Sequence, residues 1–522
     1  MKRFLCFIAI YLTAFSMSAQ VTSLFYNKGA SVYMMPGSYM IVNNDSLHNS
    51  LGTIQNAGDL RVAGDIYNDA GATLTGGPTT TTGLYDIGGN WINSGTFTAY
   101  KDSVLLNGDA RGSSGATGNQ LITGNVVTPF YDLILSGTPA SVKTQTIDAT
   151  VSGILDLRTS ELATQQNEML VLNTSTAAIT QANPNIGTGG GYVSSITTGK
   201  LSRATNSMAA YFYPVGIPSD SVSAGYPYYY RPIDMTPASA SANIYGARLA
   251  DNPTDDTYDV LKFDDTLCSV NPHFYHRLYH SGGSTASAIK MYFDPITDAD
   301  WTDMAHWNAP LGNKWNYMGT SSTGSGYGFS SIEVPNWSNF TPNPFALASK
   351  KFYVNAGPDQ TLYPNQTITL NATISTISID SIQWTPEIGL SSATIADPTV
   401  TPSQTTEYII TVINNLGCKV SDSVTLTVLP DVLLIPTAFS PDNNGVNDYF
   451  RPLNKNIKKL NFQVYDRWGV KVYESDVVGD QGWDGTYRGL KQDLGVYVWQ
   501  AQYQLDGIEK TFNESGNVTL VR

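Results

Sequence analysis

Residues 439–450 read FSPDNNGVNDYF, two aspartates, three asparagines and a glycine held between phenylalanines. Asp442, Asn444 and Asp448 place oxygen ligands on one short loop, and Gly445 permits a sharp turn, an arrangement that suits a hard cation such as Ca²⁺. A closing bidentate Glu is missing, so the preferred reading is a turn whose Asx side chains bond the local backbone. Calcium stays as the alternative cofactor. The stretch HFYHRLYH offers a second candidate in His273, His276 and His280, with His306 beyond it. On a strand His276 and His280 share one face and His273 takes the other. With no HExxH motif present, polar tips on a Tyr-rich sheet are preferred to a metal site.

Signatures of catalysis are missing: there is no G-x-S-x-G, no phosphate-binding G-x-x-x-x-G-K-[ST] and no G-x-G-x-x-G. Carboxylates are plentiful, but nothing singles out a glycosidase-type pair. The expectation is a protein that is not an enzyme. One tripeptide does recur: Asp followed by Ser or Thr and an apolar residue, at Ser46, Ser103, Ser221, Thr266, Ser381 and Ser423. Asp-Ser commonly closes a turn before a strand, which accounts for most of these. The tripeptide also resembles the acceptor of periplasmic O-glycosylation in Bacteroidetes, which makes these six hydroxyls glycan candidates.

The elements that carry these residues are strands. Only 14% of residues are charged, and Gly, Tyr, Thr, Ser and Asn take their place, the composition of an all-β chain. With 522 residues, three or four domains are expected. The net charge of −14 argues against nucleic acid as a partner, since phosphate binding needs a basic stripe. Ten of the 29 basic residues fall in the last 92 positions, where a solvated face is preferred to a binding patch. Residues 1–19 have a Lys2–Arg3 start, an apolar run and small residues ending at Ala19, the pattern of a secretory signal peptide. Two cysteines then remain, Cys268 and Cys418, and two free thiols are favoured over one bridge.

Along residues 20–180, short strands end in Asn and turn through Gly, as at Asn56-Ala57-Gly58, Asn68-Asp69-Ala70-Gly71 and Asn93-Ser94-Gly95. Polar corners between short strands indicate stacked coils, a β-solenoid-like region. The stretch TQANPNIGTGGGY then reads as a linker into a Tyr-rich β-sandwich region, residues 181–349. Residues 350–429 fit one small Ig-like sandwich around Trp384. Residues 430–522 fit a small C-terminal β-sandwich, in which Tyr497, Trp499, Ala501 and Tyr503 share the core face of one strand.

Two family resemblances follow from these segments. NAGPDQTL, WTPEIGL and GCKVSDSVTLTV resemble the PKD-like, Ig-like repeats of Bacteroidetes surface proteins; the second cysteine such repeats often carry, near Tyr363, is absent. PTAFSPDNNGVND, VYDRWGVKVYES, WDGTY and GVYVWQAQY, in that order, resemble the gliding-motility-associated C-terminal domain, the type B sorting signal of the type IX secretion system. That resemblance implies Sec export, passage across the outer membrane and a place outside the cell. It also implies the secretion translocon as a partner, in some members with a co-encoded outer-membrane protein. The expected role is a non-catalytic surface adhesin or structural interaction protein for a glycan or cell-surface ligand. The alternatives are a carbohydrate-active enzyme with a groove on the solenoid and an assembly module of the gliding apparatus.

Overall fold

A computed structural model describes residues 24–43, 45–78, 81–108, 118–137, 141–185, 190–220, 230–252, 258–308, 312–341, 343–375, 378–429, 432–454, 456–506 and 510–522. The signal peptide expected at residues 1–19, and Ser221, lie outside the described residues. The fold is all-β: among the described residues the one helical element is a 3₁₀ turn at Thr176–Ala178. The chain divides into two compact units, residues 1–350 and 351–522.

The first unit begins as a three-sided solenoid. Its first coil is β1 (Phe25–Lys28), β2 (Ser31–Met34) and β3 (Tyr39–Val42). The second is β4 (Leu47–Ser50), β5 (Thr53–Asn56) and β6 (Asp59–Val62). The third is β7 (Ile66–Asn68), β8 (Thr73–Gly76) and β9 (Leu84–Ile87), and the fourth β10 (Trp91–Asn93), β11 (Thr96–Thr98) and β12 (Ser103–Leu106). Each strand pairs in parallel with its counterpart one coil on, giving the orders β1-β4-β7-β10, β2-β5-β8-β11 and β3-β6-β9-β12. The period-2 alternation sends one side chain in and the next out. Inward columns such as Leu47–Ile66–Trp91 and Ile54–Leu74–Phe97 are therefore fully or almost fully buried. Trp91 and Phe97 meet edge to face with centroids 4.9 Å apart, the arrangement the ring quadrupoles favour.

Buried polar groups need partners, and here they form a ladder. Asn27, Asn49, Asn68 and Asn93 occupy one register column on the first face. The Nδ2 of each donates to the Oδ1 of the next at 2.9, 3.1 and 2.8 Å. Asn49 and Asn68 donate as well to the carbonyls of Thr73 and Thr96 in the following coil. The column ends where Gly124 stands opposite Asn93, whose Nδ2 turns to Thr128 Oγ1. A Cβ at Gly124 would lie 1.8 Å from the Asn93 carbonyl oxygen, so only glycine fits there.

A break near Thr180 does not appear. Parallel pairing continues past it, with Glu168–Val171 aligned on Lys200–Thr205 and Tyr192–Ser194 on Val215–Gly216. The Lys200–Thr205 strand pairs on its other side, antiparallel, with Asn243–Asp251. One solenoid face thus runs without interruption into a sheet of the sandwich. The stretch read as a linker falls between the strands Ile179–Thr180 and Tyr192–Ser194, with residues 186–189 outside the described residues. The second sandwich sheet has the order Tyr211–Tyr213, Ile233–Pro237, Ser287–Phe293, Phe329–Trp337, Ser322–Gly326. Many tyrosines of the two sandwich sheets are core: Tyr211 and Tyr213 in this sheet, and Tyr245 and Tyr275 in the other, are buried. Arg231 grips Asp298 through both carboxylate oxygens, which balances two buried charges.

Among its described residues the second unit holds a four-stranded and a five-stranded sheet beside three two-stranded pairs. In the Ig-like part the order is Gln360–Leu362, Lys419–Val428, Thr406–Asn414, Ile379–Thr385, closed over Trp384, whose indole N–H donates to the Ile395 carbonyl at 3.0 Å. Cys268 and Cys418 are each disulfide-bonded, so the expectation of free thiols is corrected. That expectation rested on the two cysteines falling in different proposed domains and on the absence of a second cysteine near Tyr363.

Candidate functional site in the C-terminal domain

The C-terminal sheet has the order Ala438–Phe439, Phe512–Leu520, Gly495–Leu505, Ile457–Tyr465, Lys471–Ser475. Its central strand alternates as the sequence indicates: Tyr497, Trp499, Ala501, Tyr503 and Leu505 are buried while Val496, Val498, Gln500 and Gln502 are exposed. Phe439, Phe450 and Trp483 close the core, with ring centroids 5.7 Å (Phe439–Phe450) and 5.3 Å (Phe439–Trp483) apart. Phe450 and Trp483 also exchange backbone hydrogen bonds of 2.9 and 3.0 Å. Residues 440–449 therefore form a loop pinned at both ends by buried aromatics.

Inside that loop the candidate ligands face the backbone. The two Asp448 oxygens accept the N–H groups of Asn443 at 2.7 Å and Gly445 at 2.8 Å. Asp442 accepts the Asn444 N–H at 3.1 Å, and Asn444 Oδ1 accepts that of Val446 at 2.8 Å. Asn443, Gly445 and Asn447 adopt φ of 63°, 85° and 53°, the left-handed region that Asn and Gly tolerate. The structure brings Asp442, Asn444 and Asp448 into one loop, where Asp442 and Asn444 form Asx turns and Asp448 reaches back to accept earlier N–H groups. Among the described residues no group of three or more His, Cys, Asp or Glu is placed to hold a metal ion.

The turn at residues 466–469 carries a feature that local sequence did not single out. Asp466 Oδ1 accepts the N–H groups of Trp468 and Val470, both at 2.8 Å, and Gly469 takes φ 81°. Trp468 is left 83% exposed at the tip, beside Val496 in a shallow notch also lined by Arg467 and Asp493. A large aromatic at a polar turn was the available signal.

Residues 433–520 match the family model of the CHU_C type IX secretion signal domain. They form a type IX secretion signal domain. The signal domain marks the chain for export by that system and implies an interaction with its machinery. No curated protein matches the chain. Similar solved structures include the D00-D0 domain of Intimin, with 14% identity over 33% of this chain and 100% of that one, TM-score 0.18. Latent PorU from Porphyromonas gingivalis has 9% identity over 56% and 31%, TM-score 0.14. The N-terminal domains of the bacteriophage RB49 outer capsid protein Hoc have 9% over 56% and 93%, TM-score 0.18. At these scores the likenesses carry no argument about function.

Outside the signal domain, the histidines are held apart by different partners. His276 is buried and bonds the Arg231 carbonyl at 2.8 Å; burial pushes its pKa down to about 4. His280 bonds Asn243 Oδ1 at 3.0 Å and stacks on Tyr245. His306 meets Thr341 Oγ1 at 3.1 Å, and burial lowers its pKa to about 4 as well.

The hydroxyls of the recurring tripeptide fall into two groups. Ser46 and Ser103 are half-buried at coil corners. Ser46 Oγ accepts the Asp65 N–H at 3.0 Å, and Ser103 Oγ donates to Asp132 at 3.3 Å. Ser423 is half-buried in a strand whose neighbouring Asp422 accepts the Ala356 N–H at 2.8 Å. Thr266 and Ser381 are exposed, although Thr266 Oγ1 donates to Asp264.

Proposed function

We propose that this chain is a secreted, non-catalytic surface protein, an adhesin or structural interaction module whose last domain is its address. The observation that carries the address is the signal domain at residues 433–520. The non-catalytic reading draws support from the outward carboxylates of the third solenoid face. Arg61 lies between Asp59 and Asp86, at 3.6 and 3.9 Å. Asp132 accepts the Ile154 N–H and Asp156 faces Arg158. Carboxylates tied to cations and backbone in this way are structural groups rather than a free acid–base pair. The ligand class is a glycan or other cell-surface polymer met by the flat outer faces of the coils.

The test is fractionation of a host secreting the full chain beside one expressing a version that lacks residues 431–522. Surface or medium delivery of the first and periplasmic retention of the second is the expected result. Identical distribution of the two would remove the address reading. Binding of residues outside the signal domain to a glycan array, with no turnover of the bound glycan, separates the adhesin from the enzyme.

A further inference from the structure

We infer that the free end of the solenoid, formed by β1, β2 and β3, is a docking surface for the same end of a second copy of this chain. Three independent observations converge there. First, all three strands are sheet edges: among the described residues β1 pairs only with β4, β2 only with β5 and β3 only with β6. Edge strands present unpaired N–H and C=O groups, and proteins normally blunt them with charge, proline or a covering element. Secondly, the apolar interior is open at this end. Phe25, Val32 and Met40 are only half-buried, whereas their register partners Leu47, Ile54 and Leu60 are completely covered.

Thirdly, the outward rim of this coil is apolar where that of the second coil is polar; apolar groups return in the third, at Tyr67 and Leu84. Tyr33 is followed down its column by Gln55, Thr75 and Thr98, Tyr39 by Asp59, and Ile41 by Arg61 and Asp86. Tyr26, Tyr33, Tyr39 and Ile41 are each more than half exposed. Solenoid ends ordinarily need a polar outer face for solubility, and this end has the opposite. An apolar rim around open edges marks an interaction site.

The occupant follows from the shape of the edges. They are three, arranged around a triangle, and all are four residues long. A single extended peptide satisfies one of them, while another coil of the same cross-section satisfies all three. A two-fold axis perpendicular to the solenoid and passing through β2 sets β2 antiparallel to its own copy and β1 antiparallel to the partner's β3. Closed two-fold contacts are self-complementary in this manner. The Phe25, Val32 and Met40 side chains of both copies then complete one continuous core.

The experiment is light scattering with size exclusion on the chain from residue 20 onward, together with Tyr39→Asp/Ile41→Arg, which writes the residues of the second coil into the first. Wild type is expected at twice the chain mass, and the double variant at one chain mass with dimerisation weakened roughly a hundredfold. Leu261→Asp, a more exposed apolar position elsewhere, is expected to leave the dimer intact. Tyr33→Cys, close to the proposed axis, is expected to give an intermolecular disulfide on mild oxidation, and provides a readout should the double variant fold poorly. A monomeric wild type, a dimer indifferent to the double variant, or no cross-link from Tyr33→Cys in the dimer would overturn the inference. Capture of a different macromolecule by a monomeric chain would do the same.

Discussion

Replacing Asn68 with Ala removes the middle rung of the asparagine ladder. The amide donates to Asn93 Oδ1 at 2.8 Å and to the Thr96 carbonyl at 3.0 Å, and accepts from Asn49 at 3.1 Å. Three bonds disappear in a site only 1% exposed. Each lost bond is worth about 0.5–1.5 kcal/mol net, and each stranded buried group about 1–3 kcal/mol. Asn49 Nδ2 keeps its bond to the Thr73 carbonyl, so the acceptors on Asn93 and Thr96 bear most of the loss. The expected destabilisation of the first unit is about 3–5 kcal/mol. Because the chain has two units, a single global melt does not isolate this value. Native-state hydrogen exchange at the amides of β4, β7 and β10 does, beside exposed Thr98→Ala as a control expected within about 0.5 kcal/mol of wild type. A loss below about 1 kcal/mol at those strands, or one spread evenly over both units, would refute the reasoning.

Asp102 is fully buried, and burial raises its pKa to about 6. The folded state therefore holds its proton over a range where the unfolded chain, with the ordinary aspartate pKa of about 3.8, has released it. This contribution lowers stability as pH rises from about 4 to about 6 and stays constant above. Asp102→Asn is expected to stabilise the first unit at pH 7, with the gain fading towards pH 4; a pH-independent difference would count against the assignment. Calcium and chelator are expected to leave the melting of the signal domain in the full chain unchanged, since the Asp442 and Asp448 oxygens already accept backbone N–H groups. A rise in melting temperature with calcium alone would restore the metal reading. Intact mass of protein from the native host is expected to show hexose-scale additions that Ser381→Ala and Thr266→Ala reduce, and an unmodified mass would end the glycan assignment.

Much of this architecture was readable from local sequence. The alternation around Tyr497, Trp499, Ala501 and Tyr503 fixes which face of that strand is core, because a period of two leaves no other choice. Asn68 and Asn93 were visible as corner residues, but not as rungs. The ladder also needs Asn27 and Asn49, and its existence depends on a register that no single segment specifies. The apparent boundary near Thr180 arose in the same way, since a Gly-rich stretch looks alike between coils and between domains. The calcium loop turned on the direction of side chains rather than on their types: Asp448 is the right residue for either role, and two nearby N–H groups claim it.

The coils are held in step by strands rather than by residue count. Successive strands of the third face start 19 residues apart from Leu84 to Ser103 and 29 apart from Ser103 to Asp132, while the pairing stays in register. The corners absorb the difference, outside the hydrogen-bonded frame. A foreign peptide placed at a corner would therefore not shift the ladder. The stack thus accommodates corners of different length without a change of register.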